Sequence, residues 1–123
     1  MKITIVIIGF GISTLCFLLY LYDNNLINNF SKILVLEKEE SPCLNSLNYI
    51  NVNSNSCLHS LISMFSNEIF KDIINNVKNK YDLDKFINLS DYNKIILEIA
   101  NRFINHIDKY IDIKFNYEVK NIE

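Results

Sequence analysis

The first eleven residues place the strongest constraint on the fold, because a β-branched apolar run meets two closely spaced glycines. Ile3 to Ile8 are all β-branched, which is typical of a strand buried on both faces of a parallel sheet. Gly9-Phe10-Gly11 follows directly, and an uncharged helix-like segment runs from Leu15 to Tyr22. The order of strand, turn and helix predicts the start of a βαβ unit.

The two glycines have separate roles in this prediction. Gly9 can adopt backbone conformations closed to other residues, so the chain can turn sharply there. Gly11 lacks a Cβ, so a pyrophosphate could approach the backbone where the helix starts. The free N–H groups and the dipole of the helix attract an anion at that point. We therefore expect Gly9, Gly11 and the next three residues, Ile12, Ser13 and Thr14, to bind a dinucleotide.

The same segment has a second interpretation as a membrane anchor. Residues 3–22 carry no charge, and about 20 apolar residues span a bilayer as a helix. Only Lys2 precedes the segment and no small-residue cleavage site follows it, so a removable signal peptide has little support. A signal-anchor helix over 3–22, followed by a partner-binding domain, stays open as an alternative to a protein without membrane contact.

A second buried strand follows the first helix. The polar stretch 23–29 suits a helix end and loop, and Lys32 to Glu37 is an apolar run that ends in an acid. Glu37 lies 23 residues after Thr14, against about 20 in a dinucleotide-binding βαβ unit. A carboxylate at that strand end can accept hydrogen bonds from both hydroxyls of an adenosine ribose. The alternative for Glu37 is a solvated charge at a strand end.

Composition limits the protein to one modest domain. The chain has 123 residues, half of them apolar, and a net charge of −2, so it can bury a single core. Its lysines form no basic run, which excludes a typical nucleic-acid-binding surface. An odd number of cysteines without a Cys-x-x-Cys motif favours free thiols in a reducing compartment, the cytoplasm. His59 and His106 are isolated, so we expect no metal site.

The remainder of the chain is predicted to complete a three-stranded sheet. Residues 39–57 form a polar loop, and apolar residues spaced by three and four predict helices over 58–80 and about 92–110. Residues 111–123 alternate apolar with polar side chains, which indicates a third strand. We expect an α/β fold with three parallel strands in the order 3-2-1, a right-handed crossover and helices on both faces.

Three segments together resemble the N-terminal part of FAD-dependent oxidoreductases of the two-dinucleotide-binding superfamily. They are Ile5–Leu15 at the phosphate-binding turn, Ile33–Lys38 at the ribose-binding strand, and Ile111–Glu123 after an apolar helix. The resemblance implies a Rossmann-like FAD/NAD(P)-binding domain in which Glu37 and Lys38 lie at the ribose. It also implies that the backbone of Val119 meets the adenine.

This sequence departs from the family at several points. Thr14 replaces the third glycine of the fingerprint, and the paired cysteines of disulfide reductases have no equivalent. Asn53–Ser56 falls where relatives pass near the flavin or its pyrophosphate, but we favour an Asn-rich loop as its explanation over a ligand role. The chain is much shorter than family members, so we expect an incomplete domain that holds the ADP-binding half and no identifiable catalytic residue.

Two expectations about function follow from the resemblance. The chain would be the FAD-binding segment of a flavin-dependent oxidoreductase or monooxygenase, inactive alone and completed by a missing C-terminal portion or a partner chain. The alternative is a Rossmann domain for NAD or another adenine nucleotide. Glu39 and Glu40 beside Glu37 would repel a 2′-phosphate, so FAD or NAD is expected over NADP.

Overall fold

The protein has a mixed α/β fold with three strands and four helices in the described part of the chain. A computed structural model describes residues 2–43 and 57–122, so Asn53–Ser56 and Glu123 of the sequence predictions lie outside it. The elements in order are β1 (Ile3–Ile8), α1 (Ile12–Asp23), β2 (Phe30–Leu36), α2 (Leu58–Met64), α3 (Lys71–Lys80), α4 (Leu89–Ile107) and β3 (Asp112–Lys114), with short 3-10 turns at Ile27–Asn29 and Glu68–Phe70.

The uncharged N-terminus is a strand followed by a helix, as the dinucleotide interpretation predicts. Strand β1 ends at Ile8, and α1 begins at Ile12, three residues before the predicted start at Leu15. A single helix over 3–22 is therefore wrong, because its first third is hydrogen-bonded in a sheet. No helix in the described ranges combines the length and apolarity needed to cross a bilayer.

The sheet confirms the predicted class and strand order. Strand β2 lies in the middle and pairs in parallel with β1 on one side and β3 on the other. Val35 has Ile7 and Ile113 as its neighbours across the two strand pairs. Parallel neighbours need crossover connections, and these are supplied by α1 and by the α2–α4 region.

One face of the sheet supports the core. Ile33 and Val35 are buried, and Ile5 and Ile7 pack against the same cluster, to which residues of all four helices belong. The other face carries Val6 and Ile8, which are 56% and 54% exposed. We expected helices on both faces, but the described helices cover only the Ile33–Val35 side. Apolar side chains on the second face therefore remain in contact with solvent.

The helical region between β2 and β3 is divided more finely than predicted. The expected helix over 58–80 is interrupted at Asn67, whose side chain accepts a hydrogen bond from the N–H of Ile69 at 3.1 Å and donates to Asp23 at 2.6 Å. Phe65 and Phe70 flank this break and meet edge to face with 5.9 Å between ring centroids. Both rings are fully buried, so the interruption turns two aromatic residues into the core.

Helix α4 begins before its predicted start near Tyr92. Asn88 caps it by accepting a hydrogen bond from the N–H of Ser90 at 2.8 Å, whereas we expected Ser90 or Asp91 to be the cap. The predicted apolar stripe is confirmed as the buried side of the helix. Its buried members are Ile95, Ile96, Ile99, Ala100, Phe103 and Ile107.

Strand β3 is much shorter than the predicted 111–123. It ends at Lys114, and Asn116 has a φ of 56°, in the left-handed region that asparagine tolerates better than most residues. The N–H of Asn116 donates to the carbonyl of Glu39, and that of Tyr117 donates to the carbonyl of Glu37, each at 2.9 Å. The chain therefore leaves the sheet and folds back across the end of β2.

An arginine joins α4 to the region around α3. The Arg102 guanidinium makes two hydrogen bonds to the Asp72 carboxylate, at 2.6 and 2.7 Å, and a third to the carbonyl of Ile69 at 2.8 Å. The hydrogen bonds from Arg102 to the carboxylate lower the pKa of Asp72 to about 2. Bidentate pairing of this kind restricts geometry more than a single contact does.

We expect Asp72→Asn to lower the melting temperature at pH 7. The folded-state pKa of Asp72 is below its ordinary value of 3.8, so the pair stabilises the fold fully above about pH 4 and is lost as the pH falls toward 2. The difference in melting temperature between Asp72→Asn and wild type should therefore disappear over that pH range, as followed by circular dichroism. Asp108→Asn, at an exposed position just after α4, is the control. A gap that persists at pH 2 would contradict this assignment.

Candidate dinucleotide site

The turn between β1 and α1 requires glycine at only one of its two glycine positions. Gly9 has a φ of +96°, a conformation that residues with a side chain rarely adopt, whereas Gly11 has an ordinary extended backbone. A Cβ at either position would meet nothing within 4 Å. Gly9 therefore makes the bend, and Gly11 leaves open space in front of the helix.

The N-terminus of α1 has neither a capping side chain nor an acidic residue in its first turn. Gly11 is its N-cap and supplies no side-chain hydrogen bond, and the first turn contains no acidic residue. The first intrahelical bond is the one from the N–H of Leu15 to the carbonyl of Gly11 at 3.1 Å. The N–H groups of Ile12 and Ser13 precede this bond and lack helical acceptors. An incoming anion can accept from them.

Thr14 connects the first turn of α1 to the preceding turn by a hydrogen bond. Its hydroxyl donates to the carbonyl of Gly9 at 2.9 Å, which satisfies an acceptor that follows directly after β1. A glycine at this position, as in the family fingerprint, could not make this bond. Thr14 therefore acts in the described structure as a support of the turn.

The Glu37 carboxylate is buried beneath the turn. The residue is 7% exposed, and its two oxygens accept from the N–H of Phe10 and the N–H of Glu39, each at 2.9 Å. The alternative of a solvated charge at a strand end is therefore wrong. Each carboxylate oxygen keeps a second lone pair beyond these two bonds.

Cys43 supports the turn from the other side. Its N–H donates to the carbonyl of Phe10 at 2.8 Å, and both residues are buried. Burial, with smaller contributions from Cys16 and Glu37, raises the pKa of the Cys43 thiol to about 11. Burial also raises the pKa of Cys16. Both thiols are therefore protonated at neutral pH, and both pack in or against the core.

A cavity of about 340 Å³ opens at the carboxyl ends of β1 and β2. It brings together four residues that the sequence analysis assigned to a dinucleotide, from three separate segments of the chain: Gly9, Glu37, Lys38 and Val119. The other four, Gly11, Ile12, Ser13 and Thr14, form the N-cap and first turn of α1 and are not part of its lining. The complete lining is Ile8, Gly9, Leu36, Glu37, Lys38, Tyr117, Glu118 and Val119.

Sequence reasoning missed three contributions to this site. It did not find the backbone N–H of Phe10 as a partner of Glu37, nor the turn at Asn116, nor Tyr117 in the cavity lining. An asparagine between Phe115 and Tyr117 was the available signal for the turn, since asparagine favours left-handed turns. The alternation of apolar residues around it favoured a continuous strand instead.

The two histidines of the described ranges lie apart from this cavity. No group of three histidine, cysteine or acidic side chains in those ranges could hold a metal ion. His59 bonds to Asp84 at 2.9 Å, and His106 bonds to the hydroxyl of Tyr22. A larger cavity of about 420 Å³ lies at the far end of α1, but it contains none of the residues that the sequence analysis singled out.

We expect the two glycines to respond differently to alanine. Gly9→Ala forces a side chain into a left-handed conformation and should lower the free energy of unfolding by about 1–2 kcal/mol. Gly11→Ala keeps an allowed conformation and should stay within about 1 kcal/mol of wild type. Urea denaturation measures both. Equal losses of unfolding free energy at the two positions would contradict the left-handed conformation of Gly9.

Glu37→Gln should also destabilise the fold. A side-chain amide can accept from only one of the two backbone N–H groups, so the other donor loses its partner at a cost of about 1–3 kcal/mol. Glu40→Gln, at an exposed position nearby, should change the free energy of unfolding by less than about 0.5 kcal/mol. The same urea titration compares the two. An unchanged Glu37→Gln protein would rule out the buried contacts.

Comparison with known proteins leaves the resemblance to flavoproteins as a proposal. Searches for a matching protein family, a matching curated protein and a matching solved structure found none for this chain. The fold class therefore stands on the sheet and helices described above. Any assignment of function has to be argued from the site itself.

Proposed function

We propose that this chain binds the ADP moiety of FAD and is the N-terminal part of the nucleotide-binding domain of a flavin-dependent oxidoreductase or monooxygenase. The observation that carries the proposal is the cavity in which Gly9, Glu37, Lys38 and Val119 meet. A buried, oriented carboxylate near a helix N-terminus that has no capping side chain is the combination that an adenosine diphosphate needs.

Each part of the ligand has a partner of suitable chemistry. The pyrophosphate would accept from the free N–H groups at the start of α1, which Gly11 leaves accessible. The ribose hydroxyls would donate to Glu37, whose carboxylate is already held by Phe10 and Glu39. The adenine would enter the cavity next to the backbone of Val119.

In this proposal, the protein's own residues bind and orient the nucleotide. A bound flavin would supply hydride-transfer chemistry, and the chain's contribution is to hold the nucleotide that carries it. No catalytic residue is assigned, so the reaction would need a further portion of polypeptide or a partner chain. The substrate would be determined there.

NAD is the second candidate, because the site described here matches only the ADP part that FAD and NAD share. NADP is disfavoured by charge. Glu37, Glu39, Glu40 and Glu118 all lie on the segments that border the cavity, and a 2′-phosphate on the ribose would be repelled by them. Cys16, Cys43 and Cys57 are unpaired, which favours a reducing compartment, the cytoplasm. Either ligand is compatible with that location.

We expect the purified chain to bind ADP in isothermal titration calorimetry, with FAD or NAD competing and NADP competing less well. Gly11→Ala should weaken ADP binding at least about tenfold, because the new methyl group occupies the path of the pyrophosphate. Its free energy of unfolding, expected within about 1 kcal/mol of wild type, provides the control for folding. The proposal would be contradicted if the wild-type chain bound no adenine nucleotide, or if Gly11→Ala bound ADP as tightly as wild type.

A further inference from the structure

Tyr117 is held at the cavity by the backbone on both of its sides. The left-handed turn at Asn116 redirects the chain after β3, and the N–H of Tyr117 donates to the carbonyl of Glu37 at 2.9 Å. The preceding N–H is bonded to Glu39 at the same distance. The Tyr117 backbone is therefore directly adjacent to that of the residue proposed to hold the ribose.

The side chain of Tyr117 is half-exposed and lines the cavity. The residue is 51% exposed, and Ile8 and Leu36, which are paired neighbours on one face of the sheet, line the same cavity. The ammonium group of Lys114 lies 6.0 Å from the centroid of the Tyr117 ring. The cavity thus has an aromatic residue and two aliphatic residues in its lining, together with Glu37.

Such walls suit a flat, weakly polar ring. Aromatic side chains and nucleobases stack through their π-faces, and this contact is tolerant of the groups at the edge of the base. An exposed tyrosine ring also gains by losing contact with water when a ligand covers it. In an adenosine the base is attached to the ribose, so a ribose at Glu37 brings its base to the neighbouring wall.

We propose that Tyr117 packs its ring against the adenine of the bound nucleotide and is the side chain that selects for a base in this cavity. The inference rests on the proposed ADP site and adds a residue that the resemblance did not assign, since Val119 was expected to act through its backbone. Ile8 and Leu36 would provide the apolar surface around the same base.

The test uses tyrosine variants with a matched control. Tyr110 is 48% exposed and has the ammonium of Lys109 at 4.9 Å from its ring centroid, but it lines the cavity at the far end of α1. ADP titrations should give about tenfold weaker binding for Tyr117→Ala. Tyr117→Phe should bind within about twofold of wild type, because it keeps the ring. Tyr110→Ala should match wild type.

A fluorescence measurement separates stacking from a structural role. The chain has no tryptophan, so Tyr117→Trp and Tyr110→Trp each introduce a single tryptophan, whose emission is excited selectively over that of the tyrosines. Saturating ADP should quench the emission of Tyr117→Trp through contact with adenine and leave Tyr110→Trp unchanged. If Tyr117→Ala binds less ADP while the emission of Tyr117→Trp does not respond, the residue only supports the turn and the inference is overturned.

The remaining outcomes distinguish this inference from the proposed function. Wild-type binding of ADP that depends on Gly11 but not on Tyr117 would leave the ADP site standing and overturn the role of the ring. Absence of ADP binding to the wild-type chain would overturn both. Weaker ADP binding in Tyr117→Ala, retained binding in Tyr117→Phe and quenching of Tyr117→Trp together support the proposal.

Discussion

The two hydrogen bonds to the Glu37 carboxylate tie together the parts of the structure that matter most. One oxygen holds the N–H of Phe10 in the turn after β1, and the other holds the N–H of Glu39 beyond β2. The carbonyl of the same residue accepts from Tyr117. Glu37 thereby connects three chain segments around one buried charge. A buried carboxylate persists only when hydrogen-bonded, so these segments and the charge depend on one another.

In the proposed ADP complex, the nucleotide would bind without rearranging the turn. The carboxylate is oriented by backbone groups that do not compete for its remaining lone pairs. The helix N-terminus above it is open because neither a capping side chain nor an acidic residue occupies it. Preorganised groups of this kind lose little conformational entropy on binding.

Local pattern was sufficient to predict the parts of the fold that depend on it. The β-branched run, the glycine pair and the acid at position 37 predicted β1, α1 and β2, and spacing by three and four predicted the buried side of α4. The errors arose where tertiary contacts determine where a helix or strand ends. Asn67 interrupts the expected helix over 58–80 by bonding to Asp23 on α1, and no local pattern contains that partner. Similarly, β3 ends early because Asn116 and Tyr117 find acceptors beyond β2.

The unpaired side of β1 has a consequence for amide exchange with solvent. The N–H of Gly9 points to β2, where it bonds to the carbonyl of Leu36 at 2.8 Å. Backbone direction alternates along a strand, so the N–H groups of Ile5 and Ile7 also point to β2, whereas those of Val6 and Ile8 point to the edge that no described strand occupies. Slow and fast deuterium uptake therefore alternate residue by residue along β1, and a polypeptide added at this edge would slow the fast set alone.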